Sequence, residues 1–153
     1  MKLQNYTFEC APCGCSFKSP DLLDGSYGEF ILRSKTGEMA YLYSPDCQVF
    51  NEFSDMLAQH PWIANMNLSD KAKVLHQFFG WACDLAPDGT AYSINQRPIC
   101  PQCGACNFKH WGPTIPFEDV NMDPPSLSYN KWRAMTQENK KHLINQAVSS
   151  YFQ

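Results

Sequence analysis

Two short segments carry the residue types best suited to holding a metal ion. The first reads Cys10-Ala11-Pro12-Cys13-Gly14 and the second Cys100-Pro101-Gln102-Cys103-Gly104. Two residues between the cysteines let a tight turn aim both sulfurs at one point. The backbone N–H groups of such a turn face the sulfurs and stabilise their negative charge. Glycine after the second cysteine permits the positive φ with which the chain leaves the turn. Two such knuckles supply four thiolates, the donor set of a closed tetrahedral site with metal–sulfur distances of about 2.3 Å. Cys10, Cys13, Cys100 and Cys103 are therefore the expected ligands. Zinc is the expected cofactor, with iron as the alternative, because both accept four thiolates.

The chain has eight cysteines in 153 residues. An even number also permits disulfides, but the opening MKLQNYTFEC has no long apolar stretch of the secretory kind. The expected compartment is a reducing cytoplasm, where structural disulfides are rare. Two independent redox pairs are a further alternative, but such a dithiol usually opens a helix within a βαβ unit, and neither knuckle does so. Cys15 and Cys106 lie just beyond the knuckles. They are expected to be small thiols beside the site, with a substituted ligand or a second ion as the alternative. Cys47 and Cys83 are expected at helix ends as core or half-buried thiols. The histidines His60, His76, His110 and His142 are scattered, and only His110 is near enough to a knuckle to substitute for a ligand. No H-E-x-x-H, G-x-S-x-G or phosphate-loop motif occurs. The pattern leans away from an enzyme, although scattered acids, histidines and tyrosines could still assemble one.

The elements that must position the knuckles are an α+β set. Leu3–Glu9 predicts a strand leading into the first knuckle, and Lys18–Gly28 a loop. Glu29–Arg33 and Met39–Tyr43 around a Gly37 turn predict a hairpin. Ser44-Pro45-Asp46 predicts a helix start, and Val49, Phe50, Phe53, Met56 and Leu57 follow at helical spacing. His60-Pro61 ends that helix. A second helix starts at Ser69-Asp70, with Ala72, Leu75, Phe78, Phe79 and Ala82 inward, and Ala86–Gly89 forms a turn. Tyr92–Ile99 predicts a strand delivering the second knuckle, and the proline-rich 113–125 segment an irregular surface arm. Tyr129–Met135 predicts a short strand. Thr136 caps a last helix over Gln137–Tyr151 with Leu143, Ile144, Ala147, Val148 and Tyr151 on its apolar face. The expected organisation is one domain over 1–153. A hairpin and two-helix insertion spans 16–99, between the knuckles, and the arm and C-terminal helix span 107–153.

Twelve basic residues against fifteen acidic ones give a net charge of −3, which disfavours a generic nucleic-acid binder. No apolar run is long enough for a membrane helix. Charge is uneven, however. Lys131, Arg133, Lys140 and Lys141 face only Glu138 after residue 130, so the acids concentrate upstream. This basic segment, with Trp132, is a candidate for contact with nucleic acid or an acidic partner. Trp111, in a loop after the second knuckle, is a candidate interface anchor.

The paired C-x-x-C-G knuckles resemble those of zinc ribbons. Tyr6-Thr7-Phe8-Glu9-Cys10 and Cys100-Pro101-Gln102-Cys103-Gly104-Ala105 are also similar to rubredoxins. The first resemblance implies a structural zinc, the second one iron for electron transfer. Both families usually join their knuckles by a much shorter connection than the 86 residues from 14 to 99 found here. The expected fold is therefore a zinc-ribbon-like knuckle pair with a small antiparallel sheet, two inserted helices and a C-terminal helix. The expected function is a zinc-stabilised, non-enzymatic domain for protein interaction or regulation. The alternatives are a rubredoxin-like electron carrier, a nucleic-acid-binding zinc ribbon and a small acidic immunity or antitoxin-type protein.

Overall fold

A computed structural model describes residues 1–153. The fold is α+β, with two open sheets in which every strand pair is antiparallel.

The first sheet is built around β1 (Lys2–Cys10). Leu3, Tyr6, Phe8 and Cys10 are buried along it. One edge pairs with β2 (Ser16–Asp21), which the first knuckle turns back antiparallel. The other edge is shared end to end by β6 (Phe108–Pro113) and β7 (Asp119–Asn121). Phe8 faces Phe17 and Trp111 across these ladders. Its ring stacks on Phe17 at 5.4 Å and meets Phe108 at 4.8 Å. This aromatic group is the small apolar centre of what we call the knuckle lobe.

The second sheet has β3 (Glu29–Ser34) at its centre, with β4 (Met39–Tyr43) on one side and the two-residue β5 (Tyr92–Ser93) on the other. The predicted hairpin is present. Helices α1 (Gln48–Gln59), α2 (Pro61–Ala64), α3 (Leu68–Phe78), α4 (Asn130–Ala134) and α5 (Gln137–Tyr151) complete the helical lobe. Its core is a continuous cluster of 19 buried residues, including Leu32, Val49, Phe53, Val74, Phe79, Trp132 and Val148. Gly80 is required where the chain leaves α3, because a Cβ there would lie 1.8 Å from the Tyr92 carbonyl oxygen.

Several elements differ from the sequence expectation. Ser16–Asp21 is strand rather than loop over Lys18–Asp21, with Pro20 tolerated because β2 is an edge. The α1 helix starts after a 3-10 turn at Ser44–Asp46, and the Cys47 thiol accepts from the Phe50 N–H at 3.4 Å. Only Tyr92 and Ser93 of the predicted 92–99 strand pair with β3. The 113–125 arm carries β7. The predicted strand at Tyr129–Met135 is instead α4. Asp84, distant in sequence, accepts from the backbone N–H groups of Asn130 and Lys131, both at 2.9 Å, and from the Ser128 hydroxyl at 2.6 Å. That carboxylate supplies the missing N-terminal acceptor for a helix of one turn. Thr136 caps α5 as expected, accepting from the Asn139 N–H at 3.1 Å. No helix is long and apolar enough to cross a membrane.

Candidate metal centre

The first knuckle interrupts the β1–β2 hairpin, and the second lies just before β6. Because β1 pairs with both β2 and β6, the two knuckles meet at one end of the sheet. Their backbones are close copies. Cys10 N–H donates to the Cys15 carbonyl at 2.9 Å, and Cys100 N–H to the Ala105 carbonyl at 2.8 Å. Gly14 and Gly104 donate to the Cys10 and Cys100 carbonyls, each at 2.9 Å, with φ of 73° and 78°. A further bond, from Ala11 N–H to the Asn107 carbonyl at 2.9 Å, stitches one knuckle to the other.

This arrangement brings four sulfurs together. The Sγ atoms of Cys10, Cys13, Cys100 and Cys103 all lie within 4.8 Å of one another. Two of these distances cross between knuckles, at 3.4 Å for Cys10–Cys103 and 3.6 Å for Cys13–Cys100. A tetrahedral ion with bonds of about 2.3 Å requires sulfurs ~3.8 Å apart. The spacing and the all-sulfur donor set therefore fit a zinc or iron ion, and the residues named from sequence are those that converge. In each knuckle the first cysteine is buried and the second exposed.

Backbone N–H groups favour the thiolate form of the first cysteine in each knuckle. The Cys103 backbone N–H, aided by that of Gln102, favours the Cys100 thiolate and holds its pKa down to about 6 against burial. The Cys13 N–H acts on Cys10 in the same sense. There, burial and the neighbouring cysteines outweigh it and push the thiol up to about 12. An incoming cation must displace protons from such a site, so affinity rises with pH. These N–H donors had no side-chain signature in the sequence beyond the C-x-x-C-G spacing itself.

Cys15 and Cys106 are half-buried outside the four-sulfur group, and the Cys15 thiol turns to the Ser16 carbonyl at 3.6 Å. His110 is exposed on β6 and is not a member of the group. Cys47 lies 3.4 Å from the Tyr129 hydroxyl, and Cys83 is buried in the helical core.

The candidate interaction residues divide. Trp111, Lys131, Arg133 and Lys141 are exposed. Trp132 and Lys140 require correction, because neither is presented to a partner. The Trp132 ring is fully buried against Phe53, and its indole N–H donates to Glu52 at 3.2 Å. Lys140 is buried beside it, with Nζ 2.8 Å from Glu52 Oε1. Helix α5 turns that lysine inward, where a carboxylate neutralises it.

No family model, curated protein or solved structure matches the chain.

Proposed function

We propose that Cys10, Cys13, Cys100 and Cys103 hold one zinc ion as a structural staple, and that the chain is a non-enzymatic protein-interaction or regulatory domain. The observation that carries this is the convergence of four thiols within 4.8 Å from two separate knuckles. Four thiolates complete a tetrahedral shell and leave no open position, the chemistry of structural rather than catalytic zinc. Free thiols in such numbers suit a reducing cytoplasm. The surface supports a protein partner: Ile115 and Phe117, in the link between β6 and β7, are 89% and 75% exposed. The acidic surplus before residue 131 suits a basic partner, which keeps the immunity or antitoxin-type role in view.

One observation favours a second reading, a rubredoxin-like iron carrier. Cys13 and Cys103 are exposed, so an ion bound to them would sit close to the surface and within reach of a redox partner. A nucleic-acid role is weakened by the burial of Trp132 and Lys140.

Metal content by mass spectrometry, taken with the visible spectrum of protein purified from its native source, separates these. One colourless zinc per chain is expected, and Cys103→Ser should lose both the ion and the folded knuckle lobe. One iron with visible charge-transfer bands would transfer the function to electron transport. A Cys103→Ser variant of native stability would end the staple proposal.

A further inference from the structure

A cleft of about 350 Å³ opens where the knuckle lobe meets the helical lobe. That volume is at the small end of the range for small-molecule sites, about 300–1,000 Å³. Its walls come from separate stretches of chain. Tyr6 and Trp111 stand on β1 and β6, Asp21 and Asp24 at and beyond the end of β2, Arg33 on β3, and Arg97 on the segment running to Cys100.

The charges in this cleft are not all spent on each other. Arg33 is buried, and its Nη2 donates to the Pro20 carbonyl at 2.8 Å and pairs with Asp21 at 3.3 Å. Its remaining N–H groups have no acceptor within the chain. Arg97 is exposed and has no carboxylate partner. Its guanidinium rests over Phe108 at 4.7 Å and near Trp111 at 5.9 Å, so aromatic rings orient it without neutralising it. Asp24 is exposed and has neither a hydrogen bond nor an ion pair. Burial, and then the negative charge of Asp24 and Asp21, raises the Tyr6 hydroxyl above its ordinary pKa, so the field of Asp24 reaches into the cleft. Between these charges, the Trp111 indole is 60% exposed.

A lining with both signs of charge selects against simple ions. A cation would meet Arg33 and Arg97, and an anion would meet Asp21 and Asp24. We infer that the cleft binds a small zwitterion with an apolar side chain, the chemistry of a free amino acid or short peptide. The carboxylate of such a ligand is recognised by Arg97 and the spare donors of Arg33. Its ammonium group is held by Asp24, and its side chain packs on Trp111 and Tyr6. A bound ligand touches both lobes.

The test uses the full chain loaded with one zinc, followed by two-dimensional NMR with Trp111 Nε1–H and the Arg97 resonances as local reporters. The probes are L-phenylalanine, glycyl-L-phenylalanine, N-acetyl-L-phenylalanine and L-phenylalanine amide. The free amino acid, the dipeptide or both should shift these reporters saturably below about 10 mM, and the better binder identifies the source. Removing the ammonium or the carboxylate charge should weaken binding at least about tenfold. Asp24→Asn and Arg97→Gln, both at exposed positions, should reproduce those losses in proteins that stay folded and keep their zinc. No shift with either zwitterion, or equal binding of all four probes, would overturn the proposal.

Discussion

The two lobes solve the same problem with different means. The helical lobe buries a continuous cluster of 19 residues, with Phe53, Phe79 and Trp132 at its centre. The knuckle lobe has Leu3, Tyr6 and Phe8 on β1, a partly exposed aromatic group around Phe8, and the two buried thiols Cys10 and Cys100. Burial of this size is small against the backbone entropy of ordering four strands. One lobe is therefore held by apolar area, and the other, on the proposed reading, by a cross-link that a bound ion would complete. The difference teaches where each lobe is vulnerable.

The largest expected effect is metal removal. Structural zinc in small domains contributes on the order of 10 kcal/mol, so chelation should release the knuckle lobe selectively. Hydrogen exchange should show lost protection in β1, β2 and β6, with α1, α3 and α5 still protected. Simultaneous loss in both lobes would mean that the cross-link supports the helical core as well.

The reciprocal experiment is Trp132→Ala. Deleting a fully buried tryptophan costs about 3–5 kcal/mol. It should lower the thermal transition of the helical lobe while bound metal, measured in the folded variant, stays at wild-type stoichiometry. A parallel fall in metal content would couple the lobes more tightly than their separate cores imply.

A smaller effect is expected at Glu52, which joins α1 to α4 and α5 by accepting from Lys140 and Trp132. Lys140, then the Trp132 donor, hold its carboxyl below the ordinary 4.5 against burial. A lowered folded-state pKa stabilises above the unfolded value, and that contribution disappears as pH falls through the folded one. Glu52→Gln should cost about 1–2 kcal/mol near neutrality, and its deficit against wild type should vanish in acid. Denaturation curves over a pH series would check both the size and the sign. The smallest effect is Thr136→Ala, which removes the α5 cap and should cost about 1 kcal/mol by chemical denaturation, with no change at the thiols.

The four-cysteine cluster was legible because its information is local. Each C-x-x-C-G run encodes a turn, its N–H donors and its exit glycine within five residues. The hairpin and the α5 cap were legible for the same reason. The misread elements drew on distant partners. Tyr129–Met135 has strand-forming aromatics, but Asp84 caps it as a helix. Ser16–Asp21 contains proline and borders a turn-rich stretch, yet it pairs along β1 because the knuckle reverses the chain and sets Phe17 against Phe8.

By itself, the sequence determined the four sulfur donors, the α+β mixture and the apolar faces of α1 and α5, all set by residue type and short-range spacing. Tertiary structure decided which donors meet, since only the pairing of β1 with β6 brings a knuckle at residue 100 to one at residue 10. It also turned Trp132 and Lys140 inward and gathered Asp24, Arg33, Arg97 and Trp111 around one cleft. Those outcomes depend on packing between residues far apart in the chain, and no local pattern encodes a distance that only the folded backbone sets.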